Sequence, residues 1–357
     1  MGVLRFPNPG SDLTRVVHVF SLMSREFDES EFDLDDMTTV ATRSLQASSV
    51  GAQGQRAVAL STRDDRSRDP LYNQMKMYSE LYRMLGFMRP FEGKRQSFSI
   101  TELGHTVSDW YWARRQPEWS GLLGQAILAT VFPNQTTENL GVSNQRPFVW
   151  LLSLMGRLDN VITRHEMISG LLAITDDSDS SAMERAVNLI RRNRGKARIK
   201  SVDAAKQIAE TNGVQLNTLE NYTRFPVGVL KSSVLNWGID ERRTDLFTDR
   251  GAVSALVLTP RGQELARSLS EAQDVRLSDL NGLSVEERAL FAYWAYYRVL
   301  EAAGLETHEH VNTDAFQRGR DVATSAGIDP SATVIFSPAL QETDEVIGLA
   351  TSLDVSE

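Results

Sequence analysis

The sequence predicts a mainly α fold with short β-hairpins, an α+β arrangement of two similar domains and a C-terminal helical segment. Three observations carry that expectation. Amphipathic stretches with helix caps recur along the chain. Short strand-like pairs interrupt them. The order helix, hairpin, Thr-opened helix also occurs twice. It ends once in Phe98-Ser99-Ile100-Thr101-Glu102-Leu103-Gly104 and again in Leu256-Val257-Leu258-Thr259-Pro260-Arg261-Gly262. A hairpin that runs straight into a capped helix is the signature of a winged helix-turn-helix, so the repeat predicts two in tandem.

Each element has a local reason. Ser11 can cap a helix through about Phe27, with Leu13, Val16, Val17, Phe20 and Met23 on one side. Residues 46–69 are small, polar and basic, and read partly as loop. Asp69-Pro70 starts the next helix, with Asp as cap and Pro at the first helical position, and Gly86 can end it. Leu71, Met75, Tyr78, Tyr82 and Leu85 form its apolar stripe, and Asn73, Lys76, Glu80 and Arg83 a polar one. A hairpin comes next, around Glu92-Gly93-Lys94, and Thr101 caps the helix after it.

Residues 147–160 form a strongly apolar helix. Thr163 with Glu166, and Ser181 with Glu184, have capping-box spacing. The second box opens a helix that ends in a basic run. A helical stretch near 217–237, interrupted by Pro226, precedes a hairpin across 246–258. Residues 284–303 form an aromatic-rich helix, and the remainder of the chain has little helical periodicity. The expected domains are 1–145, 146–275 and 276–357.

Composition narrows the function. The 357 residues exceed one comfortable core. There is no cysteine, which excludes disulfides, thiolate zinc sites, Fe–S clusters and a Cys nucleophile. With no signal-like or membrane-length apolar run, a cytoplasmic chain without a membrane partner is expected. The net charge of −9 is uneven. Residues 321–357 hold seven acids and no base, whereas 1–320 carry 38 bases against 40 acids. Within the latter, 191–200 has six bases and no acid. A mean near zero can hide a basic face.

No phosphate-cradling glycine motif and no nucleophile elbow occurs, and no cofactor is expected. His308-Glu309-His310 lacks an obvious third metal ligand. His165-Glu166 has Ser169 where a second His would be needed.

Several stretches together resemble the recognition region of AlwI-like restriction and nicking endonucleases. They are 61–69 (STRDDRSRD), 81–90 (LYRMLGFMRP), 99–109, 131–135 (VFPNQ), 146–175, 183–194 and 220–225 (ENYTRF), then Leu256–Pro260. The resemblance spans roughly residues 60–270 and implies sequence-specific reading of duplex DNA by winged-helix domains. It also implies a metal-dependent PD-(D/E)XK nuclease domain after this region, for which the remaining residues are expected to be too few. Such a site holds Mg²⁺ with carboxylates and usually has a Lys two residues after one of them. Of the six lysines (76, 94, 196, 200, 206 and 231) only Lys94 has an acid there, Glu92, on the hairpin tip. No catalytic or metal-binding residue is therefore assigned.

The candidate DNA-binding residues fall into four groups. Arg63, Arg66 and Arg68 precede the first recognition helix, where a solvated, ion-paired loop is the alternative. Asn73, Lys76 and Arg83 lie on that helix, with Lys94 and Arg95 on its wing. Arg191, Arg192, Arg194, Lys196, Arg198 and Lys200 form the basic run, either a phosphate contact or a solvated helix C-terminus favoured by the dipole. Asn217, Asn221, Arg224 and Lys231 belong to the second recognition segment, and Arg242, Arg243 and Arg250 to its wing. Aromatics at 110–112 and at Phe291, Tyr293, Trp294, Tyr296 and Tyr297 read as core or subunit contact.

The expected function is sequence-specific double-stranded DNA binding, as the recognition part of a restriction or phage-defence system. The expected partners are duplex DNA and a separate nuclease or ATPase subunit, with a homodimer also open. A transcriptional regulator, a winged-helix protein–protein adaptor and an enzyme with an unrecognised site are the alternatives.

Overall fold

The computed structural model describes residues 2–7, 10, 12–28, 30–47, 59, 69–91, 94–132, 145–179, 181–249, 251–302 and 311–336. Of these, 45–47, 94–96, 277–278 and 302 are described by backbone alone. Among the described residues the chain is mostly helical, with two small antiparallel sheets and one short parallel strand pair. It divides into two compact units, not three consecutive ones. The first is Arg15–Ala129 with Ala272–Glu357, and the second is Met1–Thr14 with Thr130–Glu271. The C-terminal segment is thus part of the first unit, which no local sequence signal could announce.

In the first unit, α1 (Leu13–Glu26) buries Val16, Val17, Phe20 and Met23. β1 (Phe32–Asp33), α2 (Leu34–Ala47) and α3 (Pro70–Met84) come next, then the hairpin β2 (Met88–Phe91) and β3 (Lys94–Ile100). β3 is central, with β1 and β2 antiparallel on either side and Phe98 opposite both Phe32 and Pro90. Asp69 caps α3 by accepting from the Leu71 and Tyr72 amides at 2.8 and 3.1 Å. The expected stripe of α3 is buried, and the Tyr82 hydroxyl donates to Val16 O at 2.9 Å. Burial, then neighbouring Tyr78, push the Tyr82 phenol well above its ordinary pKa. Gly86 ends the helix at φ +76°.

α4 (Glu102–Trp112) and α5 (Gln116–Ala129) complete the first stretch. Its second stretch adds β7 (Gln273–Asp274), paired in parallel with β8 (Val334–Ile335), and two packed helices, α13 (Val285–Ala302) and α14 (Thr313–Ser325). α14 corrects the expectation of little helix after 303. Asn312 caps it, and its buried stripe is Ala315, Gly319 and Ala323, too small to register as amphipathic. Gly319 is required: a Cβ there would collide with Leu290 O and lie 2.7 Å from Trp294 Cβ. The aromatic ring of α13 is covered by its own unit. Phe291 and Trp294 share a core with Leu280, Ala323, Ile328 and Phe336, and Tyr296 bonds Thr106 of α4 at 2.9 Å.

In the second unit, α6 (Pro147–Arg157) leads to β4 (Val161–Ile162) and α7 (Arg164–Met167). α7 runs on as a π-helix, Ile168–Leu172, whose carbonyls also take side-chain donors. Gly170 O accepts from Trp150 Nε1 at 2.7 Å and Leu171 O from Gln145 Nε2 at 3.2 Å. α8 (Ala182–Arg194), α9 (Arg198–Thr211), α10 (Leu216–Tyr222) and α11 (Arg224–Leu230) come after it. The expected helix near 217–237 is therefore two short helices. α11 starts before Pro226, which sits in its first turn, where its missing N–H costs nothing. The Ser181–Glu184 box does not form. The Ser181 hydroxyl donates instead to Asp179 at 2.7 Å.

The second hairpin is β5 (Ile239–Thr244) and β6 (Val253–Leu258), leading into α12 (Pro260–Glu271). Its first strand lies upstream of the expected 246–258, because IDERRT, mostly exposed, carries no apolar signature. β6 is central between β4 and β5.

The two matched phrases build one device in each unit. Gly86 and Gly238 both stand at positive φ (+76° and +73°). The Thr101 hydroxyl donates to Gly86 O at 2.6 Å, and the Thr259 hydroxyl to Gly238 O at 2.9 Å. Three residues on, Gly104 and Gly262 let the helix touch that backbone. A Cβ on either would collide with Phe87 O or Gly238 O respectively. The order helix, strand, helix, helix, hairpin, helix is common to both units, with α9–α11 intervening before the second hairpin.

Candidate nucleic-acid interface

The basic run is not one helix end. α8 closes at Arg194, Gly195 caps it, and α9 opens at Arg198. The run thus forms an elbow between two helices of the second unit. Arg191, Arg192, Lys196, Arg198 and Lys200 are exposed on it. Arg191 donates to Arg157 O at 2.8 Å, and Lys200 lies 3.5 Å from Asp203. Arg192, Lys196 and Arg198 have no side-chain partner among the described residues.

Arg194 is different, and this corrects its place among the DNA contacts. Its side chain is 10% exposed and is paired with Glu166, 1% exposed, at 2.7 Å. It also donates to Leu158 O at 3.0 Å and Val161 O at 2.6 Å. Glu166 holds the other half of the node, accepting from the Thr163 amide at 2.8 Å in the expected capping box. The guanidinium fork is spent inside the unit.

The hairpin loop is tied to the elbow. Asp249 Oδ1 accepts from the Arg198 amide at 2.9 Å, and the Thr248 hydroxyl donates to Lys196 O. Neither loop residue carries a signal in the sequence. Their partners lie 51 and 52 residues away, beyond any local pattern.

Other candidates are distributed along both units. Arg224 is exposed at the start of α11 without a side-chain partner among the described residues, and Asn221 is half-buried in α10. Lys231 pairs with Glu241, Arg242 with Asp240 at 2.6 Å, and Arg243 donates to Ala252 O at 2.5 Å. In the first unit Asn73 and Lys76 are exposed on α3. Arg83 turns inward instead: it donates to Ser79 O at 3.3 Å and lies over the Phe98 ring at 5.3 Å. Burial lowers its pKa, against a smaller opposing effect of Glu80. That corrects its reading as a base-edge contact. Arg63, Arg66, Arg68, Arg250, Glu92 and the side chains of Lys94 and Arg95 lie outside the described residues, as do His308 and His310.

Among the described residues no group of three or more His, Asp or Glu side chains is arranged to hold a metal, and no helix is long and apolar enough to cross a membrane.

No family model matches the chain, and no curated protein matches it. A solved structure of restriction endonuclease FokI bound to DNA is similar to it at 12% identity and a TM-score of 0.36. That match covers 90% of this chain and 60% of the FokI chain, so this chain spans less than two thirds of that protein's length.

Proposed function

We propose that the chain binds double-stranded DNA through two winged helix-turn-helix units, with the elbow at 191–200 as a principal phosphate contact. The carrying observation is the position of Arg198 and Lys200. Cations at a helix C-terminus are favoured by its dipole, which accounts for Arg191 and Arg192 on α8. Arg198 and Lys200 stand in the first turn of α9, where the same dipole opposes them by about 0.3–1 kcal/mol each. The i,i+3 pair with Asp203 at 3.5 Å offsets part of this for Lys200. Arg198 has no such partner among the described residues, and a merely solvated helix end gives no reason to place it there. A polyanion does.

The unit topology supports the reading. In each, the strand before the second helix pairs with the last hairpin strand, as a wing requires. α3 and α8 then hold the recognition-helix position of their units, which moves the second one upstream from 217–237. Asn73 and Lys76 are the base-edge or phosphate contacts on α3. The resemblance to AlwI-like recognition regions makes a restriction or phage-defence system the setting, with cutting supplied by another subunit or domain.

Selection of bound duplexes from a random pool tests the reading. An asymmetric motif is expected. A palindrome would favour a dimeric regulator, and no enrichment would remove sequence reading altogether.

A further inference from the structure

The elbow and the second hairpin loop are joined by two hydrogen bonds from consecutive residues, and the pairing is chemically odd. Asp249 places an acid against the most basic stretch of the chain. If DNA phosphates approach this surface, as proposed above, that charge opposes them. Its retention has a specific use. The residue before α9 is Ala197, whose side chain cannot cap, and Asp249 supplies the missing acceptor to the Arg198 amide. Thr248 secures the preceding turn through Lys196 O.

We propose that Thr248 and Asp249 are positioning residues that lock hairpin loop and elbow into one phosphate-binding ridge, presenting Lys196 and Arg198 together to the DNA backbone. The inference rests on the DNA-binding reading and adds a sign to it. Simple electrostatics says that removing Asp249 tightens DNA binding. A clamp says that the effect depends on what replaces it.

The test compares Asp249→Asn, Asp249→Ala and Thr248→Val with the unaltered chain, using a fluorescein-labelled 30-base-pair duplex of random sequence at low salt. Asp249→Asn keeps the acceptor and drops the charge, so it is expected to bind at least as tightly as the unaltered chain. Asp249→Ala is expected to bind roughly fivefold more weakly than Asp249→Asn, the equivalent of one lost helix cap. Thr248→Val, which changes no charge, is expected to weaken binding in the same direction. Hydrogen exchange of the Arg198 amide without DNA is expected to accelerate in Asp249→Ala and not in Asp249→Asn. If Ala and Asn bind equally, or exchange at Arg198 is the same in both, the clamp is overturned while DNA binding stands. If the unaltered chain shows no salt-dependent binding, both fall.

Discussion

Glu166→Ala is expected to lower the unfolding free energy of the second unit by about 3–5 kcal/mol, the cost of stranding one member of a buried ion pair. Arg194 would remain nearly enclosed, with two carbonyl partners and no counter-charge. The Thr163 amide would lose its acceptor in the same change. Arg194→Ala is expected to be comparably damaging, from the other side of the node. Arg192→Ala, two residues earlier and exposed, is expected to stay within about 0.5 kcal/mol of the unaltered chain. Urea unfolding monitored by tryptophan fluorescence separates the three. Equal midpoints for Arg194→Ala and Arg192→Ala would contradict the division of the basic run into a structural arginine and a solvent-facing elbow.

Gly104→Ala and Gly262→Ala are each expected to cost about 3 kcal/mol, the upper part of the overpacking range, because the added methyl meets backbone. The sign is informative. Gly→Ala within a helix ordinarily stabilises by about 0.5–1 kcal/mol. Gly156 of α6 provides the control: a Cβ there meets only Ala266 Cβ, at 3.9 Å. Gly156→Ala is therefore expected to stabilise while the other two destabilise, by thermal or denaturant melting. A stabilised Gly262→Ala would break the equivalence of the two phrases.

That equivalence is the part of the fold most legible in the sequence. The phrases ending at Gly104 and Gly262 spell out local geometry: a hydroxyl to reach back, a small residue to allow contact. Asp69-Pro70 and the Thr163–Glu166 box are readable for the same reason, since a cap acts over three residues. What stays hidden depends on distance. Arg194 reads as one more base until Glu166, 28 residues away, takes its fork. The joining of 272–357 to the first unit is invisible for the same reason. The charged strand β5 and the small-residue helix α14 escape on composition, because both pack without a strong apolar pattern. At the candidate interface the cations are legible and their grouping is not. The run of six bases resolves into five exposed side chains, one largely enclosed in an ion pair, and a clamp from the hairpin loop.

The salt dependence of duplex affinity decides whether the elbow holds DNA phosphates. The triple variant Arg192→Ala, Lys196→Ala, Arg198→Ala removes the three cations that have no side-chain partner among the described residues. Each phosphate contact adds about 0.9 to the slope of log affinity against log salt. The variant is therefore predicted to fold normally and to show a slope shallower by roughly 2.7 than the unaltered chain. Equal slopes for the two proteins would mean that these elbow cations hold no DNA phosphate.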